Sequence, residues 1–339
     1  MNPTPASAAL PHTLCYLNGE YTALKDAKIS VMDRGFIFGD GVYEVLPAYA
    51  GTLFRFEQHM ARLDRSLAEL RIPNPLTREG WREVATKLIA ASAQIDGAAG
   101  RFDAEKQPET TITATPPTIL TTTSTTLSPP ITGNHLIYIQ VSRGVAMRDH
   151  AMLPGLTPTV FMMCNPMKLP SPQQRETGVA CVTADDFRWE KAHIKSTSLL
   201  GAVFSRQLSF DAGALETVMF RGDFLSEAAA SNVWVIKGGK VMAPPKDQLV
   251  LEGIRYGLIE EICRAAGIAF ELRRISRAKV LDADELLLSS ATKEVLPITS
   301  LDGQPVGHGT QQGKPGPVYA RLYAAYQQAK TDAAEETTA

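Results

Sequence analysis

With 339 residues, 44% of them hydrophobic and 21% charged, the chain is long enough for two globular domains and a core that needs no disulfide or metal staple. A formal net charge of −2 supplies no broad field, which argues against nucleic acid or an anionic membrane as partner. Residues 1–12 lack a basic stretch followed by an apolar one, and no apolar run reaches the ~20 residues that span a bilayer, so a cytoplasmic protein is expected.

In chain order, Asn18-Gly19 between Leu14–Leu17 and Tyr21–Leu24 predicts a tight hairpin, because this dipeptide tolerates positive φ at both turn positions. Gly39-Asp40-Gly41 marks a turn into a strand over Val42–Leu46. Phe56, Met60, Leu63, Leu67 and Leu70 recur at steps of four and three, which predicts one apolar helix face. A second helix is expected over Trp81–Ala93. From residue 96 to 132 the chain is rich in Thr, Pro, Ala and Gly, with prolines at 116, 117, 129 and 130. It buries too little apolar surface to offset roughly 1–2 kcal/mol of backbone entropy per residue, so a disordered insertion is expected.

Strands follow at Leu136–Val141 and Val160–Cys164, and the Pro-rich residues 165–172 read as a connection between domains. Further strands are expected at Val179–Thr183, Thr217–Phe220, Asn232–Ile236, Val241-Met242 and Glu285–Ser289, with helices at Leu199–Asp211 and Gly253–Ala266. This irregular mixture with close hairpins predicts an α+β fold, divided as 1–165 and 166–339, with a frayed tail after Lys330.

The four cysteines, Cys15, Cys164, Cys181 and Cys263, form no Cys-x-x-Cys pair or zinc-site spacing, so they read as buried apolar groups and no metal is expected. Lys195 is by default a solvated charge, but Ile194 before it and the apolar run Leu199–Val203 after it would partly desolvate the amine and favour its nucleophilic form. Glu227 precedes the small residues Ala228–Ser231; it fits a turn, or a carboxylate aimed at a flat ligand with a pyridinium nitrogen. Leu251–Arg255 is either an ordinary helix start or a phosphate seat made of free N–H groups, completed by hydroxyls of Ser289–Thr292 and the charge of Arg62. Arg143 and Arg148 offer bidentate partners for a carboxylate, unless Asp149 takes them in a surface ion pair.

Taken together and in order, several segments closely resemble the fold-type IV pyridoxal-phosphate enzymes. They are Asp33-Arg34-Gly35 with Phe38–Glu44, His59–Leu63, Ile194-Lys195-Ser196 with Leu199–Val203, Glu227 with Ser231-Asn232-Val233, Gly253-Ile254-Arg255, and Glu294–Ile298. The resemblance runs from about residue 14 to 326. It implies a small α/β N-terminal domain, a larger β-barrel-like C-terminal domain, and pyridoxal 5′-phosphate as cofactor. Lys195 would be the catalytic lysine that forms an imine with the cofactor and shuttles a proton, and Glu227 the partner of its ring nitrogen. Arg62, the amides of Ile254 and Arg255, and Ser290 or Thr292 would hold the phosphate, while Ala291 falls where some relatives carry a threonine.

Within this family, Arg148-Asp149-His150 is similar to the Arg-x-His pair of D-amino-acid aminotransferases. There, with the counterpart of Tyr43, it captures the substrate carboxylate from the neighbouring subunit of a homodimer. Asp186–Trp189 is also similar to that group. The expected reaction is transfer of an amino group from a D-amino acid such as D-alanine to a 2-oxo acid such as 2-oxoglutarate. Branched-chain aminotransferase, R-selective amine transaminase and aminodeoxychorismate lyase are the alternatives within the family; a non-enzymatic interaction protein is the alternative outside it.

Overall fold

The computed structural model describes residues 13–99 and 133–338, so the expected insertion falls outside the described residues from position 100 to 132. The first sheet is built from the hairpin β1 (Leu14–Leu17) and β2 (Glu20–Ala23), then, after the short helix α1 (Arg34–Phe38), from β3 (Gly41–Tyr49) and β4 (Thr52–Leu53). Helices α2 (Phe56–Glu69) and α3 (Arg78–Ala99) follow, and β5 (His135–Ser142) and β6 (Thr159–Pro166) complete the antiparallel order β2-β1-β6-β5-β3-β4. Asn18 and Gly19 take φ of 51° and 99°, the two positive values that such a turn demands. The stripe Met60, Leu63 and Leu67 on α2 packs with Trp81, Leu88 and Ile89 of α3 against Leu46, Ile137 and Ile139. Helix α3 continues to Ala99, past the predicted end at Ala93, because Ala90, Ala91, Ala93, Ala98 and Ala99 favour helix.

The remainder begins with α4 (Pro172–Thr177), β7 (Val179–Asp185), α5 (Leu200–Asp211), β8 (Glu216–Arg221) and β9 (Phe224–Ala228). Next come β10 (Asn232–Lys237), β11 (Lys240–Ala243), α6 (Ile254–Ala265), β12 (Phe270–Leu272) and α7 (Arg277–Leu281). The strands β13 (Glu285–Ser290), β14 (Glu294–Leu301) and β15 (Gln304–Pro305) lead into α8 (Pro317–Thr338). These strands form one curled half-barrel in the order β12-β11-β10-β13-β14-β7-β8-β9, with β15 on β14. Both faces of its centre are buried. Trp234 and Ile236 of β10 point into a core with α6 and α8, and Val233 and Val235 into a second core with Val218, Phe220 and Leu288, so the strand reads as an unbroken apolar run.

The fraying expected after Lys330 is corrected by α8, which continues to Thr338. Tyr326 is fully buried, and Ala329 and Ala333 pack on the same core. Lys330 bonds Glu294 Oε1 at 2.7 Å. Tyr49 and Phe54 from the edge of the first sheet enter this core as well, which docks the two sheets on each other.

Candidate active site

A cavity of about 1200 Å³ lies between the sheets. Tyr43, Arg62, Lys195, Glu227, Ile254, Arg255, Ser290 and Thr292 all line it, so the structure brings together the residues singled out from the sequence, apart from Arg148 and His150.

Lys195 sits on a connection between β7 and α5, yet its backbone is joined to the first sheet. Tyr43 N–H donates to Lys195 C=O (2.9 Å), Thr197 N–H to Gly41 C=O (2.9 Å), and Lys195 N–H to Ser66 Oγ (3.3 Å). Ile194 and Ser196 on either side are buried. The amine itself is half-buried, with Nζ 3.9 Å from the centre of the Tyr43 ring. That ring stacks on Tyr138, whose hydroxyl donates to Gln140, so the aromatic wall beside the lysine is fixed from behind.

Glu227 lies within strand β9 rather than in a turn, and is 4% exposed. Its Oε1 accepts from Arg188 Nη1 at 2.7 Å, and its Oε2 from Asn232 Nδ2 (3.2 Å) and Leu251 N–H (3.3 Å). Burial pushes this carboxyl up, and Arg188 opposes the rise. Arg188 is held in turn by Asp186, whose carboxyl it keeps low despite burial, and Ser226 also donates to Asp186. Arg188 and Asn232 appear in the sequence motifs, but their role as supports of Glu227 was not legible there: Arg188 is 39 positions away.

The third part is the start of α6. Gly253 is its N-cap and no side chain caps the first amides. A Cβ on Gly253 would come within 2.0 Å of Asn232 Oδ1, so the residue is glycine because the backbone runs against the group that holds Glu227. Ser290, Ala291 and Thr292 line the same cavity, as does Ser289, also considered from the sequence, whose hydroxyl accepts from Trp234 Nε1 at 2.9 Å. Arg62 lies one helical turn after His59 and donates through Nε (2.9 Å) and Nη2 (2.5 Å) to Glu44. His59 Nδ1 is 3.0 Å from the same carboxylate. Burial raises the Glu44 carboxyl, but Arg62 and His59 outweigh it and hold the group well below the usual carboxylate range. Glu44 and His59 are functional candidates that the residue-by-residue reading passed over; the i, i+3 spacing of His59 and Arg62 was the available signal.

The loop carrying Arg148 and His150 is exposed. His150 lies 5.2 Å from the Phe38 ring and the Arg148 guanidinium 5.4 Å from it. Asp149 does not neutralise Arg148: its carboxylate accepts from Ala151 N–H, and its C=O accepts from Arg34 Nη1. Arg143, the other cation considered there, is committed to Asp40 and to the carbonyl of Leu70. All four cysteines are buried, and no group of metal-ligating side chains is found among the described residues. Nor is any described helix long and apolar enough to cross a membrane.

These features fit a flat, phosphorylated pyridine aldehyde. The small residues Ala228–Ala230 line the cavity beside a buried carboxylate; a half-buried amine sits on an aromatic ring; and an uncapped helix start shares the lining with hydroxyls. The buried Nε2 of His59 has no hydrogen-bond partner among the described residues, as expected of a polar lining that awaits a ligand.

The comparisons with known proteins agree. The family model described as amino-transferase class IV matches residues 41–132 and 110–301. The chain is 32% identical over 310 residues to the D-alanine aminotransferase of Bacillus licheniformis, covering 91% of this chain and 94% of that one. It is 31% identical to that of Staphylococcus epidermidis, covering 91% and 95%. Among solved structures it resembles a T.th. branched-chain amino acid aminotransferase with pyridoxamine 5′-phosphate, at a TM-score of 0.75, 20% identity and 95% coverage of each chain. The chain therefore belongs to the class IV aminotransferases, enzymes of fold type IV that work with pyridoxal 5′-phosphate.

Proposed function

We propose that this aminotransferase takes its amino group from a D-amino acid of the D-alanine class and delivers it to a 2-oxo acid such as 2-oxoglutarate, in two half-reactions. The observation that carries the reading is the Arg148-x-His150 pair, exposed, without a carboxylate partner among the described residues, and packed beside the Phe38 ring. Similarity to D-alanine aminotransferases over 91% of the chain supports it.

When bound, pyridoxal phosphate supplies an aldehyde that captures an amine and a ring that stabilises negative charge at the substrate Cα. Lys195 is the attachment point, and its Nζ carries the proton to and from the substrate Cα. Glu227, whose rise on burial Arg188 opposes, would pair with the ring nitrogen. Arg62, the amides of Ile254 and Arg255, and the hydroxyls of Ser290 and Thr292 hold the phosphate. Tyr43, whose ring lies beside Lys195 Nζ, would border the reacting centre, and Arg148 and His150 would fix the substrate carboxylate.

Arg148 and His150 do not line the cavity of their own chain, so we assign them to the site of a second copy. Val31, Phe36, Val145 and Met147 are all exposed, by 71%, 69%, 49% and 81%. They lie on two segments joined by Arg34 N–H to Gly144 C=O and by the Asp33–Val145 bridge. Such an apolar patch is better covered than wet, and a homodimer covers it. The chain divides, on this reading, into domains 1–165 and 166–339, and the enzyme works in the cytoplasm, as cell fractionation would show.

The test is purified enzyme with pyridoxal phosphate, assayed with D-alanine and 2-oxoglutarate. D-Glutamate and pyruvate are the expected products, and Lys195→Ala abolishes them together with the borohydride-trapped adduct at position 195. Turnover confined to L-leucine, to amines without a carboxylate, or to release of 4-aminobenzoate from aminodeoxychorismate would overturn the assignment.

A further inference from the structure

Arg62 has the position and charge to meet a phosphate, but its charge is already spoken for. Two of its three guanidinium nitrogens donate to Glu44, which is fully buried and holds its negative charge, and the third donates to Glu252 C=O at 3.2 Å. The Glu44–Arg62 pair contributes a net charge close to zero. The ring of His59 completes the cluster. It is fully buried, it lines the same cavity as Gly253–Arg255 and Ser290–Thr292, and its Nε2 has no hydrogen-bond partner among the described residues. Because Glu44 is ionised, Nδ1 must carry the proton that lies between them, which leaves Nε2 as a bare lone pair in the neutral ring.

A bare lone pair repels a phosphate dianion; a protonated Nε2 donates to it. We infer that His59 is a ligand of the cofactor phosphate, taking up a proton at Nε2 when pyridoxal phosphate binds, so that the imidazolium supplies the positive charge that Glu44 withdraws from Arg62. The inference rests on the phosphate seat assigned above. The groups facing the ring from the packed elements are Glu44 on β3, Arg62 on its own helix and Arg255 on α6. Burial together with the two arginines holds the ring neutral in the ligand-free chain, at about 4, against the pull of Glu44. An added dianion reverses that balance. Cofactor binding then consumes a proton at this site, and weakens as pH rises through the raised value of the bound state.

The direct test is the nitrogen spectrum of histidine-labelled apoenzyme titrated with pyridoxal 5′-phosphate, with His59 identified by the resonances missing from His59→Asn. Protonation of Nε2 in the holoenzyme at pH 7 is expected; an Nε2 that stays unprotonated overturns the inference. Affinity gives a second reading. An Asn amide reaches Glu44 as Nδ1 does but offers nothing at Nε2, whereas a Gln amide reaches the Nε2 position. His59→Asn is expected to reduce the preference for pyridoxal phosphate over pyridoxal by roughly 10- to 100-fold, the worth of a charge-assisted hydrogen bond, and His59→Gln to recover part of it. An unchanged preference in a folded His59→Asn protein overturns the inference alone. Failure of the wild-type chain to bind either compound overturns the cofactor site and the inference with it.

Discussion

The helix start at Gly253 permits a test with its own internal control. Gly253 has an ordinary φ of −65°, so alanine there meets no backbone strain and by chain entropy alone would stabilise the protein by about 0.4–1 kcal/mol. The added Cβ would, however, lie 2.0 Å from Asn232 Oδ1 and 3.2 Å from its Cγ, which leaves it roughly 1.4 Å too close to the oxygen for ordinary contact. The Asn232 amide cannot swing away cheaply, since it is buried and donates to both Glu227 and Leu251 C=O. Displacing it costs a hydrogen bond to a charged group, about 1.5–3 kcal/mol, or a similar amount in overpacking. Gly257, one turn further along α6, is the control: a Cβ there meets only the ends of Arg55 and Glu261, at 3.6 and 3.8 Å. Thermal unfolding of the apoenzymes should lower the midpoint by about 2–5 °C for Gly253→Ala and leave it equal or higher for Gly257→Ala. Titration with pyridoxal phosphate should show about 10-fold weaker binding in Gly253→Ala only. Equal stability and equal cofactor affinity in the two variants would refute the reasoning.

Other expectations concern subunits and charge. Mixing Lys195→Ala and Arg148→Ala subunits, each inactive alone, should restore activity if Arg148 serves the neighbouring site; restoration that fails although hybrid dimers form would place Arg148 in its own chain's site. Arg188→Gln removes the group that opposes the burial-driven rise of Glu227, so the acid limb of the kcat profile should move to higher pH; an unmoved limb would show that Arg188 does not govern that carboxylate. Folded His59 titrates near 4 and unfolded histidine near 6.5. Its contribution to apoenzyme stability is therefore complete above 6.5 and lost as pH falls towards 4, with a slope of roughly 1.4 kcal/mol per unit. Denaturant titrations across that range should show a shallower slope for His59→Asn. Glu44→Gln leaves Arg62 with an unanswered charge, and a loss of about 3–5 kcal/mol is expected by the same method.

What the sequence revealed and what it hid follow from the range of the interactions. The hairpin at Asn18-Gly19 and the apolar face of α2 depend on neighbours in the chain, and both formed where the pattern placed them. Strand β9 was missed because Ser226 and Glu227 interrupt its apolar run, and they are buried only because Asp186 and Arg188 lie across the sheet to receive them. Helix α8 is not legible in the sequence, and its end past Lys330 reads there as a frayed tail, because its inward residues Ala329 and Ala333 are small and their burial depends on a core assembled from far upstream. The residues that line the cavity were legible through motif order. Their supports, Glu44 for Arg62 and Asn232 for Glu227, depended on pairings that spacing alone does not reveal.

The backbone bonds at Lys195 bear on how the enzyme holds together. By chain position the lysine belongs with the half-barrel, but its peptide groups are laced to β3 and α2, while Glu227 and the start of α6 stay on the other side. On the proposed attachment, a cofactor joined to one and resting on the other would be a rivet through both plates. Separation of the plates would tear the cofactor's contacts, and the loaded enzyme should resist prying apart in a way the empty one does not.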